Sequence, residues 1–94
     1  MDLNYTIRGL SHTHTTAGTA EEISCGLDDG AIVELFSKTA ACFVGGTKLE
    51  AEAHKAGTPE GVPLEVQLKK NTSTFWLDGG TSDTITITQV STPE

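Results

Sequence analysis

The sequence predicts a mainly β fold, a small antiparallel β-sandwich or barrel of about six to eight short strands. It forms a single β-rich domain over residues 1–94. Two alternating runs and the composition point there. Leu64, Val66 and Leu68 interleave with Glu65, Gln67 and Lys69, while Ile85 and Ile87 interleave with Thr84, Thr86 and Thr88. Successive side chains of a strand point to opposite faces, so each run makes a strand with one dry and one wet side. Thr is unusually common, at fifteen residues, and its β-branched side chain suits the solvated face of a sheet. With five aromatic residues in the chain, the core must come largely from Leu, Ile, Val and Ala.

The elements follow in order. Leu3, Tyr5 and Ile7 alternate with Asn4, Thr6 and Arg8, which reads as a first strand over 3–10. The polar stretch 11–19 reads as a surface loop. Thr19-Ala20-Glu21-Glu22 has capping-box spacing and permits a short helical turn. Ile23-Ser24-Cys25 equally suits a strand, and Asp28-Asp29-Gly30 signals a turn. Residues 31–44 admit two patterns. Two short strands joined by a hairpin turn at Ser37-Lys38-Thr39 are preferred. The α+β alternative places Ile32, Leu35, Phe36, Ala40 and Phe43 on one face of a helix at 31–44, stopped by Gly45-Gly46.

Residues 47–55 also face two ways. Thr47-Lys48-Leu49-Glu50 is a second capping-box match, yet Leu49, Ala51 and Ala53 alternate with Lys48, Glu50, Glu52 and His54. The alternation favours a strand, joined by a hairpin through 56–61 to the strand at 62–70. Asn71-Thr72 turns into a strand at 74–78, and Asp78-Gly79-Gly80 leads into the last strand at 84–90, with a tail from Ser91 to Glu94.

The net charge is −7, from six basic and thirteen acidic residues, and only Arg8 and Lys69-Lys70 offer any local positive excess. Phosphate backbones and anionic membrane surfaces are bound by cations, so neither is an expected partner. Residues 1–6 carry no basic, apolar signal-peptide pattern, so a cytoplasmic or virion location is expected. On that reading Cys25 and Cys42 are free buried thiols.

Candidate chemistry is sparse. His12-Thr13-His14 places two imidazoles on one face of a strand, where they can share a metal ion with His54 or Glu21 as third ligand. The spacing resembles the HxH pair of cupins. Gly18 and Thr19 stand where cupins carry a glutamate, however, and the partner motif is missing. Solvated loop histidines are the plainer reading, so no cofactor or metal is expected. Asp78 and Asp83 flank a Gly-rich turn without the alternate carboxylates of an EF-hand, which reads as a hairpin turn. No nucleophile motif or phosphate loop is present, Glu50 and Glu52 read as solvated, and no enzyme is expected.

Phe75 and Trp76 are adjacent, so on a strand their rings point to opposite faces. One core covers only one of them; a loop, a second layer or another chain must shield the other, which marks both as interface candidates. The leading expectation is therefore a non-enzymatic structural or interaction protein that self-associates or binds a larger assembly, of the phage decoration or accessory type. A small acidic inhibitor of a basic partner is the alternative, with Glu50 and Glu52 in contact. A metal-binding module built on His12, His14 and His54 is the third.

Overall fold

A computed structural model describes residues 8–24 and 27–91. Cys25, the start of the expected first strand and the tail at 92–94 lie outside the described residues. Eight strands and one short helix follow in the order β1 (Arg8–Thr13), β2 (Glu21–Ile23), β3 (Ile32–Phe36), β4 (Cys42–Gly45), α1 (Lys48–Glu52), β5 (Gly57–Thr58), β6 (Leu64–Gln67), β7 (Phe75–Asp78) and β8 (Thr84–Ser91). They form two four-stranded antiparallel sheets, β1-β8-β3-β6 and β2-β7-β4-β5, so the fold is a sandwich and not a closed barrel. This strand order is that of a jelly roll.

Alternation sets which side chains meet between the sheets. Leu35 of β3 lies beside Ile87 of β8 and Val33 beside Gln89, and Val33, Leu35, Ile85 and Ile87 share one core with Ile23, Cys42, Phe75 and Leu77 of the other sheet. The residues between them, Glu34, Thr84, Thr86 and Thr88, face water. The β3–β8 ladder shifts register between Ile32 and Val33. Below that shift the buried Gln89 carboxamide accepts from the Asp28 N–H and donates to Asp28 Oδ2, each at 2.9 Å. An inward polar group is thereby satisfied by the loop that leads into β3.

Four local expectations are corrected. Residues 31–44 form two strands, as preferred, but β3 and β4 belong to different sheets, so Ser37–Thr39 is a crossing between layers and not a hairpin turn. The same holds for 78–83, because β7 and β8 also lie in different sheets. These two crossings are tied together: Ser37 Oγ and Thr39 Oγ1 both donate to the Asp83 carboxylate. Residues 48–52 are helical and not a strand. The Thr47 hydroxyl caps the helix by accepting from Glu50 N–H at 3.2 Å, and Lys, Leu, Glu and Ala are all strong helix formers. The expected hairpin between 47–55 and 62–70 is absent as well, since β5 pairs with β4 and β6 pairs with β3.

The helix covers part of the outer face of the second sheet, packing on β4 and β7 with Ala51 fully buried. Gly45 makes that approach possible, because a Cβ there would sit 2.5 Å from Ala51 N. No helix among the described residues is long and apolar enough to cross a membrane.

Candidate functional site

The two sheets leave an open edge where β1 lies near β2, and here the histidines gather. His12 pairs with Ile85 across the β1–β8 ladder, on the inward-facing side, at the rim of the core. His14 follows β1 directly. Its N–H donates to Asp83 O at 2.8 Å and its carbonyl accepts from Ser82 N–H at 2.9 Å, so the backbone is pinned to the turn before β8. The polar surface loop expected over 11–19 therefore starts later than predicted, and His14 is fully buried.

Glu21, the first residue of β2, brings its carboxylate to this pair. Its Oε1 lies 3.0 Å from His14 Nδ1 and 3.4 Å from His12 Nε2, and the two ring nitrogens are 3.4 Å apart. The Thr15 N–H donates to the same oxygen at 2.9 Å and the Thr15 hydroxyl to Oε2 at 3.1 Å. The Thr15 N–H foremost, helped by its hydroxyl and by the nearby imidazoles, holds the Glu21 carboxyl below the usual range against the opposing effect of burial.

The far side of the His14 ring meets Asp78. His14 Nε2 lies 3.0 Å from Asp78 Oδ1, an oxygen that also accepts from the Gly18 N–H at 3.0 Å. His54 Nε2 lies 2.5 Å from Asp78 Oδ2. Asp78 is nearly inaccessible to solvent. Burial alone would push its carboxyl up, but the His54 hydrogen bond, the Gly18 N–H and the two imidazoles outweigh that and hold it low. His54 follows α1 in a left-handed conformation, φ 56°, with its ring stacked on Phe43 at 4.0 Å between centroids. The helix is tied to the same region by Glu52, whose Oε2 accepts from Ala20 N–H at 2.8 Å.

Of the third ligands foreseen beside His12 and His14, Glu21 joins the pair, while His54 sits on the opposite side of Asp78. Sequence reasoning gave Asp78 no part in this cluster. It stands at the end of an apolar strand beside two glycines, and nothing local marks it as the partner of residues 14, 18 and 54. Asp83, once its possible companion around a Gly-rich turn, is engaged by Ser37 and Thr39 instead. Cys42 is buried in the core, and burial first, then the Asp83 charge, raises its thiol, which leaves it a poor nucleophile.

The interface candidates part as alternation requires. Phe75 is buried in the core, 5% exposed, whereas Trp76 is half-buried on the outer face beside Glu22 and Gly45. On the side of the molecule bounded by β4 and β6, Leu49 of α1 is 78% exposed. It borders a cleft with Val44, Glu50, Ala53, Ala56 and Lys55, and a second cleft sharing Val44, Glu50 and Ala56 continues along Val66, Leu68 and Lys69. None of the histidine-cluster residues lines either cleft.

No family model matches the chain, and no curated protein or solved structure matches it either.

Proposed function

We propose that the chain is a non-enzymatic structural or interaction subunit that associates with further copies of itself, as a decoration or accessory protein of a larger assembly such as a virion does. Jelly rolls serve capsids, lectins and enzymes alike, so topology alone does not choose among these. What carries the reading is the apolar groove around Leu49, which an isolated chain leaves in water. Contiguous exposed apolar surface marks contact sites, and Leu49 is continuous with Val44, Ala53 and Ala56.

Charge complementarity supports a second copy as the occupant. The groove is bordered by Lys55 and Lys69, two of only six basic residues in an acidic chain, against a single acid, Glu50. On the outer face of the other sheet, Glu34 stands directly opposite Glu65 across the β3–β6 ladder, both exposed. Directly opposed like charges destabilise a sheet. A basic neighbour relieves that repulsion, so the lysine-bordered groove of one copy complements the glutamate face of the next. Such a contact is head-to-tail and builds rings or filaments.

Light scattering on a sizing column, with native mass spectrometry, tests this. An oligomer is expected that Leu49→Glu disperses. Lys69→Glu and Glu34→Lys should each weaken it by about tenfold, and the two together should recover most of the loss. A wild-type chain that stays monomeric at its highest soluble concentration overturns self-association.

A further inference from the structure

We propose that His12 Nε2, His14 Nδ1 and Glu21 Oε1 form a binding site for a divalent transition-metal ion of the Zn²⁺ type, at the open edge between β1 and β2. The site is independent of the groove and of self-association. Its first support is spacing. Ligand bonds of about 2.0–2.2 Å place neighbouring donor atoms about 3.0 Å apart at right angles and about 3.4 Å apart at tetrahedral angles. The three separations here are 3.0, 3.4 and 3.4 Å. All three atoms fall within 4.8 Å of one another, the only such grouping of three or more among the described residues.

The second support is the accounting of protons. A neutral imidazole donates from one nitrogen only. In the tautomer whose Nε2–H donates to Asp78 Oδ1 at 3.0 Å, the His14 Nδ1 lone pair faces Glu21 Oε1 and His12 Nε2. With the His12 proton on Nδ1 as well, three electron-pair donors converge on one point. A single cation satisfies all of them at once.

The third support is the surrounding shell. Metal-bound histidines typically hand their other N–H to a carboxylate that fixes the tautomer, and ligating carboxylates are themselves hydrogen-bonded. Asp78 plays the first part, held in turn by Gly18 and His54, and Thr15 plays the second with two donors on Glu21. His14 is buried whereas His12 and Glu21 are 17% and 33% exposed, so the remaining coordination position opens to solvent and takes water or an incoming donor group. Two imidazoles and one carboxylate without a thiolate suit Zn²⁺ and its first-row neighbours better than Ca²⁺ or Mg²⁺.

The test titrates Zn²⁺ into untagged, chelator-stripped protein by calorimetry, with native mass spectrometry for stoichiometry and Co²⁺ absorption for geometry. One ion per chain with micromolar or tighter affinity is expected, together with a raised melting temperature. His12→Ala and Glu21→Gln lie at the rim, keep the core intact, and should each weaken binding at least about tenfold. Asp78→Asn, which changes only a positioning residue, should weaken it about 10–100-fold. His54→Ala should cost less than Glu21→Gln. Absence of binding at millimolar Zn²⁺ overturns the proposal. Retention of full affinity by a folded Glu21→Gln variant overturns it too, as does loss of binding confined to His54→Ala.

Discussion

At the scale of single residues, Asp78 bears the most weight. Its buried carboxylate meets His14, His54 and the Gly18 N–H, and leaving a buried hydrogen-bonding group without its partner costs about 1–3 kcal/mol. The sign of its pH dependence follows from the direction of its shift. The folded protein holds the Asp78 proton more weakly than the unfolded chain does, so the group stabilises the fold above the unfolded value of about 3.9. That contribution is lost as pH falls through the lower, folded value. Melting temperature measured from neutral pH downwards should therefore drop below about pH 4, and Asp78→Asn should begin less stable and show a shallower acid limb. The same residue marks where reading the sequence ends. The i, i+2 spacing of His12 and His14 marked two candidate ligands, and Glu21 was within view seven residues later. Asp78 is 64 residues from His14, and no local pattern encodes a meeting at that distance.

Among elements, α1 is the one that the alternation misled. Leu49, Ala51 and Ala53 alternate as a strand would, but Ala needs no particular face. The Thr47 cap, the helix-forming residues and the notch at Gly45 acted together in the other direction. Thr47→Ala should cost about 1 kcal/mol of stability by denaturant unfolding. Gly45→Ala should cost more, because the added methyl meets helix backbone and not a pliable side chain. Equal, negligible losses from both would mean that α1 is not docked as described. The strands at β6 and β8 were legible because one face of each is dry. The turns at 37–39 and 78–83 were read as hairpins because Ser, Thr, Asp and Gly bend the chain in the same way whether it returns to its own sheet or crosses to the other. Only long-range pairing distinguishes the two outcomes, and that information resides in the partner strands.

For the whole molecule, the jelly-roll order means that strands adjacent in space are mostly distant in the chain: β1 is paired with β8, and β2 with β7. Proteins dominated by such contacts fold slowly, since loop closure is costly before pairing repays it. The cluster around Asp78 gathers residues 14, 18, 54 and 78, so it assembles only after both sheets and α1 are in place. Its consequence is kinetic. Interactions made after the folding barrier leave the folding rate alone and slow the escape from the native state. In stopped-flow chevrons, Asp78→Asn should steepen neither arm, barely change folding, and speed unfolding by most of its equilibrium effect. A carboxylate at the end of one strand thus acts as a latch on the lifetime of the folded chain, closing last and opening first.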